Sequence, residues 1–71
     1  MKAMEIYREL SKEVSWAQKP RKVRMAAARY YAGVDSVEDL QAWAEPQVIR
    51  EGVMLPPVLS KDEVREIIRW R

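Results

Sequence analysis

An all-α fold follows from three features of the sequence. Apolar residues recur at three- and four-residue spacing over most of the chain, and two capping-box sequences stand ahead of such runs. With two Gly and four Pro, the chain also lacks the turn residues that a many-stranded β domain requires. The arrangement expected is a small orthogonal bundle of about four helices, with a proline-containing extended strap before the last helix. Seventy-one residues make one thin domain, residues 1–71. Hydrophobic residues at 48% and charged residues at 34% give a globular rather than a disordered balance.

The first helix is expected over residues 2–18. At 100° per residue, Ala3, Ile6, Tyr7, Leu10, Val14 and Ala17 fall in one stripe, with Glu5, Arg8, Glu9 and Lys12 opposite. Trp16 falls on the charged side, so either the helix ends before it or its indole packs on another element. Lys19-Pro20 breaks the pattern, and Pro20 suits the start of a second helix that runs to Ala32. Val23, Ala26, Ala27, Tyr30 and Tyr31 form its inner stripe, and Gly33 can supply the left-handed residue that ends it.

A third, short helix is capped by Asp35 with Glu38 or by Ser36 with Asp39, two registers that spacing alone does not separate. Val37, Leu40, Trp43 and Ala44 are its apolar face. Glu45-Pro46 interrupts it, and a single turn through Val48 and Ile49 is expected to end at Gly52. The run from Val53 to Leu59, with Pro56 and Pro57 inside it, reads as the strap laid over the core. Ser60 and Glu63 then form the clearest capping box in the chain, with Leu59 placed to staple onto Val64. Val64, Ile67 and Ile68 face inward on the last helix.

The inventory restricts chemistry. There is no Cys and no His, which removes disulfides, thiolate and imidazole catalysis and the usual zinc sites. Glu5/Glu9 and Glu9/Glu13 are ordinary exposed pairs, the four serines lack an imidazole base, and two isolated glycines make no phosphate loop. A non-enzymatic binding protein without cofactors is expected. A domain this small with neither disulfide nor metal is also expected to self-associate as a homo-oligomer. The longest uncharged run, residues 52–60, is nine residues with two prolines, far short of the roughly 20 apolar residues of a membrane span. Glu5, Arg8 and Glu9 interrupt any signal-peptide core, so a cytoplasmic or otherwise intracellular location is expected.

Charge is unevenly spread. Residues 19–29 hold Lys19, Arg21, Lys22, Arg24 and Arg29 with no acid, whereas residues 30–47 hold Asp35, Glu38, Asp39 and Glu45 with no base. Cations in the first turn of a helix oppose its macrodipole at about 0.3–1 kcal/mol each, which suggests that the cluster is used. Cations beside free backbone N–H groups suit phosphate, and Arg21, Lys22 and Arg29 share an outward face. The competing reading is a solvated basic face, paired with the chain's own acids or a partner's carboxylates. Engagement by Asp35, Glu38, Asp39 or Glu45 of the same molecule would remove the binding surface.

A helix-turn-helix over residues 26–43 is disfavoured, because its recognition helix would carry Glu38 and Asp39 and no base. Arg69-Trp70-Arg71 could stack a base between two cations, although an aromatic at helical spacing more often packs on the core. Trp16 is either an exposed aromatic anchor for a partner or local packing on the Pro20 turn. The stretch Leu55-Pro56-Pro57-Val58-Leu59-Ser60-Lys61-Asp62-Glu63-Val64 resembles linkers that enter tyrosine-recombinase catalytic domains. The likeness lies in the staple and capping box, and none of that family's catalytic residues can be placed here.

Two functions are therefore expected to compete. One is a nucleic-acid-associated accessory or regulatory factor that contacts phosphates through Lys19, Arg21, Lys22, Arg24 and Arg29. The other is an adaptor or inhibitor that docks on a larger protein through Trp16 and the basic helix.

Overall fold

A computed structural model describes residues 2–70. Among the described residues, the chain is mostly helical: α1 (Ala3–Lys12), α2 (Val14–Ala17), α3 (Arg21–Tyr31), α4 (Val37–Trp43) and α5 (Lys61–Arg69). Between α4 and α5 lies a minimal antiparallel sheet of β1 (Gln47–Val48) and β2 (Met54–Leu55). None of these helices is long and apolar enough to cross a membrane.

The expected first helix is broken in two. Glu13 is extended, with φ −81° and ψ 132°, and the turn after it is rotated out of phase with α1. Trp16 is thereby turned inward to 2% exposure, while Val14, expected in the inner stripe, is 75% exposed. Magnitudes explain the exchange. Burying an indole is worth about 4–6 kcal/mol by area and a valine about 1.5–3 kcal/mol, more than the roughly 0.5–1.5 kcal/mol of each helix hydrogen bond forfeited.

Helix α3 is the centre of the molecule and packs against α1, α4 and α5. Val23, Ala26, Ala27 and Ala28 are all buried. Three successive buried alanines cover about 200° of the helix circumference, so neighbours approach it on more than one side. Pro20 sits just ahead of the helix rather than inside it, and its carbonyl accepts from the N–H groups of Val23 and Arg24. At the other end Gly33 has φ +78°; its N–H donates to the Tyr30 carbonyl at 3.1 Å and that of Val34 to Arg29 at 2.9 Å. These two bonds are the Schellman pattern, which a left-handed glycine makes possible.

Both capping boxes form. Ser36, not Asp35, caps α4: its N–H donates to Asp39 Oδ2 at 2.8 Å and its Oγ accepts from the Asp39 N–H at 3.2 Å. Ser60 caps α5 through Glu63 in the same way, at 2.7 and 3.0 Å. Leu59 and Val64 on either side of that cap are both buried, as a staple requires. The core of Ile6, Leu10, Trp16, Val23, the three alanines, Leu40, Leu59, Val64 and Ile67 contains no buried polar residue.

The strap is the main departure from expectation. Residues 47–55 form a hairpin instead of a helical turn and a core-covering strand, and every residue from position 45 through position 58 is exposed. Gln47 pairs with Leu55 and Val48 with Met54, and the Ile49 N–H donates to the Val53 carbonyl at 2.8 Å. The turn Arg50–Gly52 has positive φ at Glu51 (63°) and Gly52 (74°), the signature of a type I′ hairpin turn. Pro46 stands just before β1 and Pro56 just after β2, where a residue without an N–H is tolerated. The chain rejoins the body at Leu59, whose N–H donates to the Trp43 carbonyl at 3.0 Å.

Candidate functional site

The five cations of residues 19–29 are dispersed by the fold. Lys19 leaves the basic run to meet α5, where its Nζ donates to Glu66 Oε2 and stands 5.5 Å from the centre of the Trp16 ring. That hydrogen bond first, then the Lys19 charge and more weakly that of Arg69, hold the Glu66 carboxyl below its ordinary pKa. Arg24 lies back along α1, with Nη1 donating to Ser11 Oγ at 3.2 Å and its guanidinium 5.4 Å from the centre of the Tyr7 ring. Arg24 is half-buried there, and its Nε is buried without a hydrogen-bond partner.

Arg29 is engaged by one of the chain's own acids. Its Nε donates to Asp35 Oδ2 at 2.8 Å and Nη2 to Oδ1 at 3.3 Å, a bidentate fork that raises the Arg29 pKa. The left-handed turn at Gly33 makes this pair possible by folding Asp35 back beside the last turn of α3. Asp35 is free for the role because Ser36 performs the capping. Of these five cations, Arg21 and Lys22 are exposed and have no side-chain partner among the described residues. They stand on the first turn of α3, which has neither an acidic residue nor a side-chain cap. Of the five cations expected on one face, Lys19 and Arg29 are thus paired with the chain's own acids, Arg24 is held against α1 without an acid, and of the four acids of residues 30–47 only Asp35 engages any of them.

The aromatic candidates are also absorbed. Trp16 is buried and thus not an exposed anchor. Its ring meets Trp70 edge-on at 5.4 Å, Trp70 meets Tyr31 at 5.3 Å, and Tyr31 meets Tyr30 at 5.0 Å. The Tyr31 hydroxyl donates to the Ile67 carbonyl, tying α3 to α5. This edge-to-face series is a packing arrangement in which the half-buried Trp70 takes part. A shallow depression of about 200 Å³ lies beside it, lined by Ser15, Trp16, Lys19, Glu66, Arg69 and Trp70. Arg69 is exposed at the end of α5, and Arg71 lies outside the described residues.

A surface the sequence reading did not single out is the more distinctive one. Of the nine large hydrophobic residues exposed among those described, six belong to the hairpin arm and its return: Val48, Ile49, Val53, Met54, Leu55 and Val58. The Gln47 side chain fixes the arm's root by donating to the carbonyls of Ala42 and Glu45 at 3.2 Å each, near the end of α4. Beside the root, α4 and α5 enclose a groove of about 340 Å³ lined by Gln41, Ala44, Glu45, Lys61, Val64, Arg65 and Ile68. The apolar run was legible in sequence, but nothing there distinguished a segment covering the core from one projecting away from it. No family model, curated protein or solved structure matches this chain.

Proposed function

We propose that this protein works by binding another protein rather than by catalysis, and that the hairpin arm is the contact. One observation carries the reading: a concentration of half-exposed aliphatic side chains on a segment that the body's own core does not need. Scattered surface hydrophobics are unremarkable, but the ladder sets Val48 beside Met54 on one face and Ile49, Val53 and Leu55 on the other, and such clustering of exposed apolar residues on a small protein marks an interaction site. An extended hairpin with unpaired edges also offers backbone hydrogen bonds to a partner. The adaptor reading thus keeps its class while its contact moves from Trp16 and the basic helix to the arm.

The test is affinity capture with the wild-type chain, Met54→Lys and the double reversal Arg21→Glu/Lys22→Glu, each first checked for helical circular dichroism. The expected result is a defined protein partner that is lost with Met54→Lys and retained with the double reversal. The opposite pattern would overturn the reading.

A nucleic-acid role keeps one supporting observation, the unpaired Arg21 and Lys22 at an uncapped helix start. Two phosphate contacts give a log–log salt slope near −1.8 on duplex DNA, whereas the five-cation face would give about −4.5. Retention of labelled duplex across a salt series separates these values, and the expected outcome is weak binding with the shallow slope or no binding.

A further inference from the structure

We infer that the arm's partner is a second copy of this chain, the two arms lying antiparallel about a two-fold axis with each tip seated at the other's root. The inference rests on the protein-binding reading above and names its partner. Surface area is the first argument. The protein exposes 5191 Å², against about 4,600 Å² expected for a compact monomer of 8.4 kDa. The excess of about 600 Å² approaches the roughly 800 Å² per partner of a standard stable interface. The radius of gyration agrees: 13.0 Å, against about 11 Å for a compact chain of this length.

The hairpin itself is the second argument. A two-stranded hairpin with both faces in water is marginal at best, and three or more strands or a packed face are needed for stability. Because the Ile49 N–H bonds to the Val53 carbonyl, the alternation of an antiparallel ladder directs the backbone groups of Val48 and Met54 to the two outer edges. An antiparallel pairing of one edge with its own copy is isologous, so two arms complete a four-stranded sheet without any additional element.

Charge selects the tip-to-root register. The tip carries Arg50 and Glu51, and the groove beside the root carries Glu45 on one flank and Lys61 on the other. Among the described residues, none of these four side chains has an ion-pair or hydrogen-bond partner in its own protomer. Lying antiparallel, each tip brings Arg50 toward Glu45 of its copy and Glu51 toward Lys61, over a groove floor of Ala44, Val64 and Ile68. A parallel arrangement would set each tip against its like.

Native mass spectrometry and light scattering of the full chain test this directly. The expected result is a species of twice 8.4 kDa, reduced to monomer by Met54→Lys with helicity preserved. Arg50→Glu alone is expected to weaken the dimer about tenfold or more, and Arg50→Glu with Glu45→Arg to restore it, which no merely structural role of Arg50 would produce. A wild-type chain that stays monomeric from micromolar to near-millimolar concentration would overturn the inference. So would a dimer that survives Met54→Lys, or one indifferent to the charge exchange. In the monomeric case, arm-dependent capture of a different protein leaves the broader protein-binding reading standing, and its absence removes both.

Discussion

The helical body and the hairpin arm solve opposite problems with the same kinds of residue. In the body, Ile6, Leu10, Trp16, Val23, Leu40, Leu59, Val64 and Ile67 close around three alanines, and among the described residues no polar or charged residue is fully buried with them, although the Arg24 Nε is buried without a hydrogen-bond partner. In the arm, Val48, Ile49, Val53, Met54 and Leu55 are 45–70% exposed and none is packed against the core. Hydrophobicity alone therefore does not assign a residue to the core. Helical periodicity around α3 gives the body's residues a common inner face, whereas a two-residue ladder has no third layer to pack on. The body accounts for the fold, and the arm is the surplus from which a function is argued.

The largest expected effect tests that division. Trp16→Ala should destabilise by about 3–5 kcal/mol, a large part of the total stability of a domain this size. Met54→Ser should change monomer stability by no more than about 0.5 kcal/mol. Urea denaturation followed by far-UV circular dichroism, at concentrations below any association, measures both. Similar losses in the two variants would break the contrast between core and arm. Leu59→Ala belongs with the body, at about 2–5 kcal/mol, because the chain's return to the core hinges on that buried side chain.

How much of this was legible before the structure depends on whether a local signal faced a stronger tertiary one. The Ser60–Glu63 box and Gly33 are local devices that satisfy free helix-end groups, and each forms where spacing places it. Of the two open registers for α4, Ser36–Asp39 is the one formed, and Asp35 turns back to Arg29. Trp16 was the visible anomaly of the first helix, and the break at Glu13 resolves it because burying an indole outweighs helical continuity. The hairpin was not legible because its turn is Arg50-Glu51-Gly52 rather than an Asn-Gly or Asp-Gly pair. The basic cluster was legible as composition but not as a surface. Residues close in sequence, Lys19 and Arg24, reach opposite neighbours in space, α5 and α1.

Smaller effects sharpen the comparison within each region. Removing the cap of α5 with Ser60→Ala should cost about 1 kcal/mol in the body. Glu51→Gly should stabilise the arm by a similar amount, since a side chain at φ 63° carries about 1–2 kcal/mol of strain that glycine lacks. The readouts differ. The first lowers the global urea midpoint, whereas the second should slow amide exchange at Ile49 and Val53 and leave the global midpoint nearly unchanged. A raised global midpoint in Glu51→Gly would mean that arm and body unfold as one unit.

The smallest expected effect is a dependence on pH confined to the body. Glu66 is held below its ordinary pKa by its hydrogen bond from Lys19, and Asp39 by the N–H and hydroxyl of Ser36. A carboxyl with a folded pKa below its unfolded value, about 4, adds stability that is complete above that unfolded value. The contribution disappears as pH falls through the depressed folded pKa. Between pH 7 and pH 5 the urea midpoint should therefore change little on account of these two groups, and below pH 4 it should fall. Glu66→Gln removes the Lys19–Glu66 share, so its midpoint should start lower at pH 7 and decline less steeply on acidification. Neither carboxyl lies in the arm, so exchange at Ile49 and Val53 in the monomer should follow only the intrinsic pH dependence of an amide. An acid-induced loss of arm protection that Glu66→Gln prevents would show that the two regions are coupled after all.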